Sequence, residues 1–178
     1  MKPRSFAKIA VLLSLAQVPT APLYAETFLT VDQARQALWA NVSMVPAEIK
    51  LTKSQMKSIA KASNVRVNRS KLNAWKTDDG GWFIVDQVVG KHEMIDVAVA
   101  LDAKGKVKGI EVLTYRETYG DEIKNYKWLA QFLGRGKEEH LKLDRQIKNI
   151  SGATLSCRHI TDGVNRWAHT WDQVLQHI

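Results

Sequence analysis

Apolar positions along this chain recur at helical spacing, then at strand spacing, then at helical spacing again. Thr30-Val31-Asp32-Gln33 is a capping box, in which the threonine hydroxyl and the glutamine side chain satisfy the free amides of a helix start. Val31, Ala34, Leu38 and Val42 follow on one face, and Pro46 closes the predicted helix. Thr52-Lys53-Ser54-Gln55 is a second capping box, flanked by Leu51 and Met56 at hydrophobic-staple spacing; its helix should run to about Ala62. Asn73 to Gly81 is polar and ends in Asp-Asp-Gly-Gly, a turn. Three strands are predicted next: Trp82 to Val89, His92 to Leu101 with Ile95, Val97, Val99 and Leu101 alternating, and Lys106 to Tyr115. Asp102-Ala103-Lys104-Gly105 joins the last two as a hairpin turn, Gly105 supplying the positive φ. A shorter helix is predicted over Glu122 to Leu133, stopped by Gly134 and Gly136. Leu155, Ile160, Val164, Trp167, Ala168, Trp171, Val174 and Ile178 then recur at threes and fours, a long amphipathic helix that needs a sheet to lie against. Trp167 and Trp171 read as core. The fold class is α+β: an antiparallel β-meander packed against helices, with a long C-terminal helix.

The first 25 residues read differently. Lys2, Arg4 and Lys8 form a basic n-region, Ile9 to Val18 is a short apolar run, and Leu23-Tyr24-Ala25 resembles a cleavage site. This is the layout of a secretory signal peptide cut after Ala25. The rival reading is an uncleaved anchor, but the apolar run is about half of the ~20 residues a spanning helix needs. The expected location is periplasmic. Residues 26–75 are expected to be an N-terminal helical segment and residues 76–178 the main domain.

Composition narrows the function. With 178 residues, 45% hydrophobic and 25% charged, the chain has room for one domain with a real core. Loss of the three basic leader residues lowers the formal charge from +8 to +5. Without a Lys/Arg block interleaved with aromatics, a nucleic-acid partner is not expected. The modest basicity serves solubility or attraction to an anionic cofactor or partner. Cys157 is the only cysteine, so no internal disulfide, haem-attachment motif or CxxC pair can form, and it reads as packing. The five histidines lack metal-ligand spacing, and no metal site is predicted. If this chain handles electrons, an organic cofactor is the expected carrier.

Ser151-Gly152-Ala153-Thr154-Leu155-Ser156 stands immediately before the last helix. Small residues let another group approach the backbone, Thr154 and Ser156 offer hydroxyls, and a helix start offers unpaired amides and the positive end of the dipole. Helix starts of this kind bind phosphate. Cys157, Arg158 and His159 follow where acidic residues usually compensate a helix start. The simpler reading is an ordinary Ser/Thr N-cap, and the local pattern leaves both open.

Ser151 to Thr154 matches the Ser-Gly-Ala-Thr motif of the FMN-binding domain family, and the chain resembles that family over roughly residues 80 to 170. The family is similar to the FMN-carrying subunits of the sodium-pumping NADH:quinone oxidoreductase and of the Rnf electron-transport complexes. Tyr115-Arg116-Glu117-Thr118-Tyr119-Gly120 resembles a second family segment, a loop near the flavin. Lys148 stands where the family usually has an acidic residue, and Tyr119 where the complex subunits have proline, as in a smaller stand-alone branch. The resemblance implies FMN held covalently through a phosphoester on Thr154, with Ser156 the second candidate. It implies a cofactor site of Ser151, Gly152, Ala153, Thr154, Leu155 and Ser156 together with Glu117, Thr118 and Gly120. Tyr115 or Tyr119 would stack on the ring; for Glu117 a solvated loop acid is the competing reading. A flavin transferase is the implied partner for attachment, with membrane or periplasmic redox partners beyond it. The alternatives are a non-covalent module for FMN or another phosphorylated ligand, and a flavin-dependent reductase.

Overall fold

The computed structural model describes residues 26–178. The leader and its cleavage site, read from residues 1–25, lie outside the described residues.

Six strands form one antiparallel sheet in the order β1-β6-β5-β4-β3-β2. They are β1 (Glu26–Thr27), β2 (Met44–Lys50), β3 (Lys71–Thr77), β4 (Trp82–Val89), β5 (Met94–Leu101) and β6 (Val107–Tyr115). Among the described residues four α-helices accompany them: α1 (Val31–Leu38), α2 (Lys53–Ser63), the single turn α3 (Tyr126–Leu129) and α4 (Thr154–Gln173). The α+β class and the long last helix are as the sequence predicts.

β5 shows how both faces are covered. Val97, Val99 and Leu101 point into the larger core with Ile59 of α2 and Ile160, Val164 and Trp167 of α4. Ala98 and Ala100 point the other way, into a smaller core with Ala34, Trp39, Phe83 and Leu113. Small residues on that second face let α1 come close: a Cβ at Gly109 would stand 2.4 Å from Leu38 Cδ2. On the α4 side, a Cβ at Gly163 would stand 3.0 Å from both Val88 Cγ1 and Trp167 Cη2. That packing explains a glycine in mid-helix, where it costs about 1 kcal/mol relative to alanine.

Both capping boxes form, with Thr30 and Thr52 hydroxyls accepting from the amides of Gln33 and Gln55. Leu51 and Met56 pack into the larger core around the second one. The first helix stops well before Pro46, however. Trp39 turns into the smaller core, Asn41 adopts φ 59°, and the chain reverses into β2. Pro46 lies within β2, an edge strand, where a missing amide does least harm.

Residues from 73 onward are likewise more ordered than their polarity suggests. Most of that stretch is β3, with Ala74 turned to the α4 face and Trp75 packed against the smaller core. Only Asp78 to Gly81 is turn. The segment 26–75 therefore carries its two helices and, in addition, β1, β2 and most of β3, which join the same sheet. The helix predicted over 122–133 is broken into a 3₁₀ turn at Asp121–Lys124, α3, and a 3₁₀ turn at Ala130–Phe132. The Asn125 side chain accepts from the Lys127 amide at 2.9 Å, a local bond that competes with helix continuation. Ile123, Trp128, Leu129 and Phe132 are all buried, so packing holds the broken path.

The irregular chain from 135 to 150 is fastened by side chains. Buried Asn165 of α4 accepts from the Leu141 amide and donates to its carbonyl, both at 2.9 Å. Trp128 Nε1 donates to Lys148 O at 2.7 Å, and the Lys148 amide donates to Gln131 Oε1 at 2.8 Å. These ties fix the entry into α4.

Candidate functional site

α4 begins at Thr154 with Ala153 as N-cap and no side-chain cap. The Ser/Thr cap that the sequence left open is thus not formed, in contrast to α1 and α2. The amides of Thr154, Leu155 and Ser156 have no acceptor among the described residues, the first intrahelical bond being Cys157 N–H to Ala153 O. No acidic residue lies in the first turn. Arg158 and His159 belong to the second turn rather than the first. The positive end of a twenty-residue helix is therefore open to an anion.

A pocket of about 420 Å³ faces that helix start. Gly152, Ala153, Thr154, Leu155 and Ser156 line one side; Tyr115, Glu117, Thr118 and Tyr119 line another; Lys91 and His92 complete it. Gly152 has φ 86°, a left-handed conformation that favours glycine, and nothing lies within 4 Å of where a Cβ would be. The backbone is exposed there to an approaching group. Two expected residues stand back from the pocket. Ser151 is exposed outside its lining. Gly120 is buried behind it, with φ 91°, and a Cβ there would lie 2.9 Å from Ala153 Cβ and from the Tyr115 hydroxyl. Gly120 is what allows the 115–120 loop to pack on the motif.

Tyr115 donates to the Tyr119 carbonyl at 2.5 Å and lies 3.5 Å from Ser156 Oγ. Burial raises its pKa, only partly offset by Ser156, so the phenol stays neutral and can donate. Tyr119 is exposed beside it. Glu117 is partly exposed, yet its carboxylate is engaged by backbone amides. Its Oε1 accepts from the amides of His92 at 2.6 Å and Glu93 at 2.9 Å, pinning the β4–β5 turn to the wall of the pocket. Burial opposes ionisation of Glu117, but the amide hydrogen bonds from Glu93 and its neighbours together outweigh it and hold the carboxyl below its ordinary pKa.

Sequence reasoning missed three residues here. Asn149 Nδ2 donates to Thr154 Oγ1 at 3.0 Å. Lys91 and His92 reach the motif from about sixty positions away, with no spacing signal to announce them. Lys148 does not line the pocket; it borders a separate groove with Glu122 and Trp128. Cys157 is fully buried, and burial raises its pKa, as suits a packing residue.

A glycine-opened, uncapped helix start facing a polar-walled cavity is able to take the phosphate of a cofactor. The residues fit FMN: free amides and Thr154 Oγ1 for its phosphate, and a cavity within the ~300–1,000 Å³ usual for small-molecule sites. The family model for the FMN-binding domain matches residues 90–169, a little under half of the chain, which supports FMN binding by this part of it. The matched segment contains the pocket-lining residues from Lys91 to Ser156. No curated protein matches the chain.

Proposed function

We propose that this protein is an exported electron carrier whose FMN is joined to Thr154 through a phosphoester. The observation that carries the reading is Thr154 Oγ1 at the uncapped start of α4, hydrogen-bonded by Asn149 and facing the pocket. In the attachment step, supplied by a flavin transferase using FAD, Thr154 Oγ1 attacks the FMN phosphorus. The Oγ1–P bond forms, the pyrophosphate bond breaks, AMP leaves, and the threonine proton is lost to a base of the transferase. Threonine is a weak nucleophile unaided, which is why a separate enzyme is invoked. The ring supplies the redox chemistry; the protein supplies position and electrostatics. A covalent link prevents loss of the flavin from a carrier in the periplasm, the location that residues 1–25 support as a cleaved leader. Membrane or periplasmic proteins would donate and accept the electrons.

The test is to co-express the full chain with a flavin transferase, denature it in acid, and record the visible spectrum of pellet and supernatant. Yellow colour in the pellet, absent from Thr154→Ala, is expected. Flavin released to the supernatant would replace this reading with non-covalent FMN binding, which the free amides alone would support. Colour retained in Thr154→Ala would move the bond to Ser156.

A further inference from the structure

A second cavity, of about 220 Å³, lies along the flank of α4 where the loop joining α2 to β3 crosses β4. It is separated from the flavin pocket by the β4–β5 turn: Val89 and Met94 line the cavity, Lys91 and His92 the pocket. Three arginines meet there, Arg66 and Arg69 from the loop and Arg166 from α4. A smaller cavity of about 70 Å³ continues it, sharing Arg69 and Arg166 and reaching Trp167.

The acids facing these arginines are Asp86 and Asp162. Asp86 is already engaged: its Oδ1 accepts from the Gln87 amide at 2.8 Å, and its Oδ2 accepts from Trp167 Nε1 at 2.8 Å and Arg166 Nη2 at 3.0 Å. Asp162 is half-buried, and desolvation raises its pKa. Arg69 Nη2 donates to Gln87 Oε1, and both residues line the cavity. Arg166 is mostly buried, and its Nε is enclosed without a hydrogen-bond partner among the described residues. Arg35 Nε and Trp39 Nε1 are also orphaned but line neither cavity.

We infer that this cavity binds a small organic acid, its carboxylate held by Arg66, Arg69 and Arg166 and its apolar body against Val88 and Met94. A guanidinium fork matches a planar carboxylate in two-point geometry. The volume lies below the ~300 Å³ at which drug-sized ligand sites begin, which favours a single-ring or short-chain acid over a nucleotide. The site is independent of whether the flavin is covalently bound.

The experiment is an NMR titration of the full chain with benzoate, following the Trp167 indole N–H, which sits on Asp86 at the back of the site. A saturable shift is expected at Trp167, with the amides of Gly152 and Thr154 unmoved. Inorganic phosphate should shift it less, lacking an apolar body. In Arg66→Ala/Arg69→Ala, both replacements being on the exposed loop, affinity should fall by about tenfold or more, the scale for losing charge-assisted hydrogen bonds. The rest of the spectrum should be unchanged. No saturable shift at Trp167, a shift confined to Gly152 and Thr154, or equal binding by the double variant would each overturn the assignment. Phosphate binding as tightly as benzoate would overturn the organic-acid class.

Discussion

Asn149 Nδ2 holds Thr154 Oγ1 at 3.0 Å, leaving the hydroxyl hydrogen and a lone pair available. One neutral hydrogen bond of this kind is worth about 1 kcal/mol net. Asn149→Ala should therefore slow flavin incorporation about fivefold without changing where the flavin attaches, as a time course of in-vitro loading would measure. An unchanged rate would reduce Asn149 to a bystander. Thr154→Ser keeps the hydroxyl and should still load, whereas Thr154→Ala should not. Glu117 acts on a different quantity, stability. Its pKa is lowered in the fold, so its stabilising effect is complete above the unfolded-state value of 4.5 and is lost as pH falls through the lowered folded value. Glu117→Gln should lower the urea midpoint at neutral pH, and the difference from wild type should shrink in acid. A gap that persists in acid would mean the carboxylate's charge is not what holds the β4–β5 turn. Thr154 and Ser156 were legible as hydroxyls beside a helix. Asn149 was not, because a five-residue separation across an irregular turn has no periodic signature.

Among the elements, α4 differs from α1 and α2 at its start. Both of those carry complete capping boxes, so Thr30→Ala and Thr52→Ala should each cost about 1 kcal/mol in chemical denaturation. Neither should alter flavin loading, since neither helix lines the pocket. The 115–120 loop depends instead on Gly120. Alanine there meets a left-handed backbone, which costs about 1–2 kcal/mol, and also presses on Ala153 and Tyr115. Gly120→Ala should destabilise the fold and impair loading together, separating it from the cap variants. Helix starts and hairpin turns could be read locally because capping and turn chemistry are local. The ends of α1 and the break at Asn125 could not, because Trp39, Trp128 and Phe132 pack into cores made elsewhere in the chain.

On the scale of the whole molecule, the family match over 90–169 is only part of the folded unit. β2 and β3 extend the sheet beyond β4, and Ile59 of α2 is buried in the same core as Trp82, Ile84 and Val164. A chain beginning at residue 76 should therefore lack a cooperative thermal transition by circular dichroism; a sharp transition would show that the C-terminal part folds alone. By itself the sequence determined the three central strands, the α4 stripe, the capping boxes and the Ser-Gly-Ala-Thr segment, since each is written in neighbours no more than a few residues apart. Its resemblance to the FMN-binding domain family also singled out Thr154 as the candidate attachment point. Only the tertiary structure decided that residues 26–75 add strands to the sheet, because β3 alternates too few apolar residues to announce itself. Only the tertiary structure decided that α4 starts without a cap and that Lys91 and His92 wall its pocket. Those contacts join residues far apart in the chain, and sheet register and helix packing, which no local pattern encodes, bring them together.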